Sequence, residues 1–332
     1  MNADALCATW TASIAQRGGA VLWDVPPAAV VTATLDHQLS QAAAATLTVD
    51  GCQLPGWLQP TPRLHELRLA RGGVPTFAGP ILGVGATGGQ LSLAAQDRMW
   101  WVLNRRRLAA AQGDASSVVA QLVDQASQQG DVGLDVHTVA TGTPYVSTNI
   151  LIGSDIEAAE ARWVARAGVL QVGAEPFATI ATTLTERDWT EPPAVFVDGV
   201  DYVSTVVGDT TYHANPGMWG ETAATLPQGD PHGDYLTRST TWGGSGETNG
   251  RGPRRLLSSN ATDGSAAITI RKGVTVGDWE AWRPGAALRV DVDTGIAGLG
   301  LRGACEITAL RVETGAGGAE TTLSVDAATL AT

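Results

Sequence analysis

Two stretches of the chain alternate apolar and polar positions with the period of strands that bury one face. The first covers residues 20–103, where turns rich in glycine separate several short strand patterns. The second covers residues 266–330, and residues 288–292 alternate most cleanly there. Short strands at this spacing, with turn signals between them, predict a β-barrel or β-sandwich in each stretch.

Between these stretches the apolar period changes to that of a helix. Asp114 can accept backbone N–H bonds as the cap of a helix over residues 114–129, whose apolar residues share one face. Gly130 ends this pattern. The sequence therefore predicts one amphipathic helix after the first strand-rich stretch.

A second helix is predicted over residues 155–167. Asp155 would be its cap, Gly168 its C-terminal stop, and a strand over residues 169–172 would follow. Its apolar stripe is Ile156, Ala159, Trp163 and Val164. The two helices indicate a small α/β insert beside the barrel.

One pattern occurs twice. Residues 77–93 read as a strand, a Gly88-Gly89 hairpin and a closing strand, and residues 303–325 repeat that order around a glycine-rich turn. Two unrelated hairpins would explain the echo, and so would two copies of one barrel in a single chain.

These patterns predict a mainly β fold with a smaller α/β insert and two β-barrel domains. The expected divisions are residues 1–110 for the first barrel, 111–190 for the insert, and 191–332 for a loop-rich region and the second barrel. Residues 243–254 are polar and rich in glycine, which favours a mobile loop.

Composition and charge exclude some functions. Charged residues make up only 16% of the chain, which suits large uncharged surfaces, and the formal net charge of −12 disfavours binding to nucleic acid or to anionic lipid. The three cysteines, Cys7, Cys52 and Cys305, are far apart, so we expect buried thiols rather than disulfides or a zinc site. No signal peptide and no long apolar run is visible, so we expect synthesis in the cytoplasm and no membrane insertion.

Catalytic and ligand-binding signatures are missing from the sequence. Residues 83–88 match G-x-G-x-x-G, but they lie inside a predicted hairpin without the helix that a dinucleotide site needs. None of the five histidines pairs with another at a metal-binding spacing: His37, His65, His137, His213 and His232. We therefore predict no catalytic, cofactor-binding or metal-binding residues, no cofactor and no enzymatic activity.

Two short runs at the end of the first stretch have more than one interpretation. Arg105-Arg106-Arg107 could contact an acidic neighbour or form a solvated turn. Trp100-Trp101, just before it, indicates an anchor for this junction rather than a ligand platform.

Residues 74–81 contain an "F-x-G" strand, residues 89–97 an "L-x-L-x-A-x-D" strand, and Arg105-Arg106 an arginine-bearing exit. Taken in this order, these motifs resemble phage tail hub proteins. Residues 282–290 are similar to the "L-x-P-G-x-x-V-x-V" strand of a second hub barrel, and Leu323-Ser324-Val325 would close it. Residues 34–49 and 60–63 also look similar to minor tail proteins of actinobacteriophages.

The resemblance implies a structural baseplate hub at the tail tip of a siphophage virion. It implies a homotrimer with two hub-type β-barrels per chain, which together form a pseudo-sixfold ring that joins the tail tube to the tip and lines the DNA exit channel. The implied partners are the distal tail protein ring, the tape-measure protein and downstream tip or fibre proteins, with DNA present only in transit.

Two alternative functions stay open at this point. Eleven tryptophans could stack on sugars in a carbohydrate- or receptor-binding tail module. A cell-wall glycan hydrolase would need paired carboxylates, and the candidate acids are Asp198 and Asp201. The other carboxylate groups, Asp209 and the pair Asp291 and Asp293, are expected on solvated faces.

Overall fold

A computed structural model shows a mainly β chain, whose described residues form three separate hydrophobic cores. The structure describes residues 10–173, 177–191, 195–197, 205–211, 219–225, 237–242, 264–270, 281–296, 299–315 and 318–327. Cys7, Asp198, Asp201, His213, His232 and the loop predicted over residues 243–254 lie outside these residues.

The first module, residues 10–96, is built from antiparallel strands. Its strands are β1 (Trp10–Gln16), β2 (Val21–Val25), β3 (Val30–Gln38), β4 (Ala44–Asp50), β5 (His65–Arg71), β6 (Val74–Thr87) and β7 (Gln90–Gln96). They lie in the order β3-β4-β7-β6-β5-β1-β2, and two short 3-10 turns, Pro27–Ala29 and Gly51–Gln53, follow β2 and β4. The long strand β6 curls the sheet around its core because its first half pairs with β5 and its second half with β7.

The insert follows directly. It contains α1 (Met99–Leu103), β8 (Gln112–Asp114), α2 (Ala115–Gln128), β9 (Asp135–Thr138), β10 (Pro144–Val146), α3 (Ile152–Ala158), β11 (Trp163–Arg166) and β12 (Val169–Val172). Strands β11, β12 and β9 form one small sheet, and β8 pairs with β10. The helices pack on these strands around the insert's own core.

The first predicted helix is confirmed as α2. The Asp114 side chain accepts a hydrogen bond from Ser116 N at 3.0 Å, as a helix cap does. Burial alone would raise the pKa of Asp114, but hydrogen bonds from Ser116, Thr141 and Gly142 outweigh it and lower the pKa to about 2. The predicted apolar face is the buried one: Val118, Val119, Leu122, Val123 and Ala126.

The second predicted helix, over residues 155–167, is wrong in extent and in its cap. α3 ends at Ala158, and Glu160 has a left-handed φ of 50° that ends the turn. Asp155 lies inside α3, fully buried, where it accepts hydrogen bonds from Thr148 N and Asn149 N. All four residues of the apolar stripe are buried, as predicted. They do not share one helix, however, because Trp163 and Val164 lie in strand β11.

Gly168 is a turn residue rather than a helix stop. Ala167 and Gly168 have φ values of 48° and 96°, and they connect β11 to β12 as a two-residue hairpin. Residues 169–172 form the predicted strand, β12.

The second module shares its main sheet with the first. Its strands are β13 (Ala178–Leu184), β14 (Val195–Val197), β18 (Gly264–Ile270), β19 (Ala286–Ile296), β20 (Leu299–Gly315) and β21 (Gly318–Ala327). They include the run β14-β18-β21-β20, while β19 pairs with the first part of β20 and, in parallel, with β13. Strands β15 (Thr205–Thr211), β16 (Trp219–Thr225) and β17 (Thr237–Trp242) form a separate sheet.

The pattern that occurs twice in the sequence corresponds to the hairpins β6–β7 and β20–β21. In each, a long strand pairs with different strands along its two halves.

The predicted fold class is confirmed: the chain is mainly β, with a smaller α/β insert and two β-barrel modules. The divisions at residues 110 and 190 stay predictions. In the described part of the chain, every helix is too short or too polar to cross a membrane.

Candidate assembly surface

The two modules meet along one strand pair. β3 of the first module and β20 of the second run antiparallel, from Ala33 opposite Thr314 to Gln38 opposite Ala309. Leu39 N continues the ladder by donating to Thr308 O at 2.9 Å. This joint makes a single sheet from both modules, with 13 strands among the described residues.

Side chains on the inner face of the joint are buried. Leu35, 3% exposed, lies opposite Val312, 1% exposed, and His37 lies opposite Leu310. Burial, together with the charges of Arg166 and Arg283, lowers the pKa of His37 to about 3, so its imidazole is neutral at neutral pH. The joint is therefore an apolar contact closed by backbone hydrogen bonds.

The opposite face of the sheet is covered by small residues, many of them hydroxylic. This hydroxyl face comprises Thr32, Thr34, Thr46, Thr48, Ser92, Ala94, Gly83 and Gly85, which lie opposite one another in adjacent strands. Thr34 Oγ1 lies 2.6 Å from Thr46 Oγ1, and Thr48 Oγ1 lies 3.3 Å from Ser92 Oγ. The described side chains that carry charge in the same rows are Asp36, Asp50, Glu313 and Arg311. The face is thus nearly neutral with a slight acidic bias.

Among the described strands, the second half of β6 forms an edge of this sheet. From Gly83 to Thr87, β6 pairs with β7 on one side, and no other described strand pairs with this part of it. At the other end of the run, β14 pairs with β18 alone among the described strands. Unpaired strand edges of this kind can take up a strand of another chain.

Ion pairs connect the insert to both modules. Arg98 contacts the buried Glu66 of β5 through Nε at 3.3 Å and Nη2 at 3.0 Å, and its Nη1 donates to Gly133 O in the insert at 2.6 Å. On the other side, Arg162 of the insert pairs with Glu306 of β20. The insert is therefore linked to each of the two modules through a charged side chain.

No known protein family and no curated protein matches the chain by sequence. Solved structures do match it. A tail protein from Neisseria meningitidis MC58 superposes with a TM-score of 0.66 at 12% identity, over 96% of both chains. The 43 kDa tail protein of prophage MuSo2 from Shewanella oneidensis gives 0.64 at 10% identity, over 96% of both chains. Prophage tail protein gp18 from Listeria monocytogenes gives 0.63 at 9% identity, over 95% of this chain and 94% of that one.

The chain has the phage tail-protein fold. Since each match spans nearly the whole of both chains, the tail-protein fold includes both modules and the insert. The likeness to phage tail proteins that the short motifs indicated is confirmed at the level of the fold.

In this tail-protein fold, the two motifs of the first barrel are in direct contact. A Cβ placed on Gly79 of "F-x-G" would lie 1.9 Å from Gln96 O and 2.6 Å from Asp97 Cα, so only glycine fits where β6 crosses the end of β7. Asp97, the last residue of "L-x-L-x-A-x-D", is buried and accepts hydrogen bonds from Ala43 N at 2.6 Å and Met99 N at 2.8 Å. Burial raises the pKa of Asp97 to about 7, although both hydrogen bonds oppose the shift.

The arginine run is mostly internal to the tail-protein fold, which sequence reasoning missed. Arg105 Nη1 donates to the Ala126 and Gly130 carbonyls and so caps the C-terminal end of α2. Arg107 donates to Ser147 Oγ at 2.8 Å and lies 3.6 Å from the buried Asp155, so its acidic neighbour belongs to the same chain. Arg106 alone is exposed.

Trp101 fits the predicted anchor. The guanidinium of Arg17, from the β1–β2 turn, stacks 4.0 Å from the centre of its ring, and that of Arg105 lies 6.0 Å away. Among the tryptophans whose side chains are described, only Trp57 is strongly exposed, at 68%. A sugar-stacking surface would need several exposed on one face, and these side chains do not provide it.

The remaining candidate residues are dispersed. His65 accepts a hydrogen bond from Thr61 N, and His137 lies exposed beside Asp135. Asp291 and Asp293 are exposed and alternate with buried valines on β19, as predicted. Within the described residues, no group of histidine, cysteine or carboxylate side chains could hold a metal ion.

Two further sequence predictions have different outcomes. Cys305 is buried, but Cys52 is exposed, because it lies in the 3-10 turn after β4 rather than in a strand. Residues 83–88 lie in the β6–β7 hairpin, as predicted, and strand β7, rather than a helix, follows them directly.

Proposed function

We propose that the protein is the baseplate hub of a phage tail, with a structural rather than an enzymatic role. In this proposal three copies form a pseudo-sixfold ring that joins the tail tube to the tip. The ring surrounds the channel through which DNA leaves the siphophage virion during genome ejection.

The observation that carries this proposal is the β3·β20 joint. It pairs the last strand of the run β14-β18-β21-β20 with the first strand of the run β3-β4-β7-β6. One chain thus already contains two similar units joined side by side through a continuous sheet. Three such chains supply six units, which would suit a sixfold tube above the ring and a threefold tip below it.

The hydroxyl face supports the position of the channel. A ring closed through this sheet would turn one face inward, and the hydroxyl face is the side that the modules do not bury. A nearly neutral, slightly acidic lining gives DNA no cluster of cations to bind, so a polyanion could pass without sticking. The overall charge of −12 acts in the same direction.

The proposed partners follow from the position in the tail. The distal tail protein ring would lie above, the tape-measure protein would end in or near the lumen, and tip or fibre proteins would attach below. The tail-protein fold supports a place in such an assembly, at the tail tip of a virion.

Light scattering on the purified full-length chain tests the proposal. The expected mass is three times the 34.3 kDa of one chain. A chain that stays monomeric at high concentration and forms no ring under the electron microscope would overturn it.

A further inference from the structure

The open part of β6 has a covered counterpart in the same chain. We propose that Val84 and Ala86 of β6 pair through their backbone with the β14 end of the sheet in a second copy of this chain. This inference rests on the proposed trimer and names the contact that would hold it together.

The hairpin geometry determines which backbone groups face outward. Gly88 and Gly89 have φ values of 59° and 80° and form a two-residue turn, so the flanking Thr87 and Gln90 exchange hydrogen bonds. Because antiparallel pairs alternate, Gly83, Gly85 and Thr87 bond to β7. The N–H and C=O groups of Val84 and Ala86 therefore point away from β7, to the open side.

The same count from the turn identifies the counterpart positions in β20. Gly315 lies opposite Gly318 with two residues between them, so Val312 and Thr314 point away from β21 as Val84 and Ala86 point away from β7. On that side Val312 lies opposite Leu35 of β3, and Thr314 lies opposite Ala33. The backbone groups that are open in β6 are thus the ones that form the joint in β20.

The exposed fractions of Val84 and Val312 agree with this difference in strand pairing. Val84 lies three residues before Thr87, as Val312 lies three residues before Gly315. Val84 is 40% exposed and Val312 only 1% exposed. A strand added beside β6 would cover an apolar side chain that this chain leaves in solvent.

No described strand of the same chain covers this part of β6, so we assign the covering strand to another molecule. In the internal joint the covering strand is β3, the first of its run, and the first strand of the other run is β14. β14 of the same chain is at the other end of the strand order and, among the described strands, pairs with β18 and not with β6. Since the two edges differ, the contact is head-to-tail, and such contacts form a closed ring when the rotation permits.

Val84→Pro tests the contact with little disturbance of the hairpin. Proline at position 84 removes one of the two outward-pointing N–H groups, leaves the bonds to β7 in place, and is tolerated at an edge strand. Val84→Thr is the matched control, because it keeps the N–H and the β-branched shape. We expect Val84→Thr to form the trimer and folded Val84→Pro to be monomeric in light scattering, with circular dichroism confirming that both are folded.

The outcomes separate the contact from the ring. A Val84→Pro protein that remains trimeric would overturn the β6 contact and leave the proposed hub intact. A monomeric wild-type protein would overturn both. Hydrogen exchange on the wild-type trimer gives the answer even if Val84→Pro does not fold: we expect the amides of Val84 and Ala86 to exchange as slowly as that of Gly85, and exchange at the rate of unpaired amides would refute the pairing.

Cysteine pairs test which strand is the partner. With the exposed Cys52 changed to serine, Val84→Cys is combined in turn with cysteine at residues 195, 196 and 197. We expect one of these pairs to link copies by a disulfide under mild oxidation. The same cysteines placed singly should give no disulfide-linked species. A trimer in which none of the pairs links would rule out β14.

Discussion

The hairpins β6–β7 and β20–β21 are built alike, yet they differ in what lies beside them. The second half of β20 is covered by β3, and Val312 there is 1% exposed. The second half of β6 has no such cover within the described chain, and Val84 is 40% exposed. The same local structure is therefore complete in one module and incomplete in the other.

This difference is the basis for the contact that we propose between copies. The backbone groups that β3 satisfies in β20 are left for solvent or for another chain in β6. An unpaired edge can cause an isolated protein to aggregate, whereas in an assembly it can pair with a strand of another subunit.

The largest effect is expected where β6 crosses the end of β7. Gly79→Ala places a methyl group 1.9 Å from Gln96 O, so the strands must separate and the free energy of unfolding should fall by about 4 kcal/mol. Gly85→Ala, where no atom lies within 4 Å of the added carbon, is the control and should change stability by less than about 0.5 kcal/mol. Equal losses in urea unfolding would contradict the crossing geometry.

Asp97 should make stability depend on pH near the same crossing. Its folded pKa of about 7 lies above the ordinary value of 3.8, so its contribution is fully present below about pH 4 and is lost as the pH rises through 7. Relative to Asp97→Asn, the wild-type protein should lose about 3 kcal/mol between pH 4.5 and pH 7.5, since one pKa unit corresponds to about 1.4 kcal/mol. Asp124→Asn, on the exposed side of α2, is the control, and parallel pH curves for wild type and Asp97→Asn would refute the prediction.

The ion pairs that connect the insert to the modules should differ in strength. Arg98→Met leaves the buried Glu66 with Arg68 as its remaining cation and should cost about 2 kcal/mol of unfolding free energy. Arg162→Met removes the partner of Glu306, whose side chain is 19% exposed against 3% for Glu66, and should cost less. Denaturant unfolding of both variants checks this order, and a larger loss for Arg162→Met would reverse it.

The smallest effect is expected at the exposed side of the internal joint. Arg311 and Asp36 lie 3.5 Å apart, but their side chains are 55% and 42% exposed. A double-mutant cycle with Arg311→Ala and Asp36→Ala should give a coupling energy of about 0.5 kcal/mol or less. A coupling of several kcal/mol would mean that charge, rather than the backbone ladder and the buried side chains, holds β3 to β20.

The sequence was sufficient for features with a local cause. Helix α2 followed from the Asp114 cap and an unbroken apolar face, and the β6–β7 hairpin followed from Gly88-Gly89 between alternating strands. Helix α3 was predicted too long because its four apolar residues, Ile156, Ala159, Trp163 and Val164, fit a helical period. Trp163 and Val164 are buried, but they lie in strand β11. Short apolar runs satisfy both periods, and tertiary pairing with β12 decides between them.

The assembly surface could not be predicted, because it depends on pairing between distant residues. Nothing local in residues 33–38 specifies β20 as their neighbour, because the paired residues, 309–314, lie near the other end of the sequence. The same applies to Arg105 and Arg107, whose partners on α2 and α3 become apparent only in the folded insert. The open edge over residues 83–87 became apparent only once the pairing of β6 was known.

An image of the purified full-length protein along the axis of its assembly tests the central claim most directly. We predict a closed ring of six similar densities formed by three chains, with β6 of each copy beside β14 of the next. Separate single chains with the β6 edge facing solvent, or a ring whose copies meet through other strands, would contradict it.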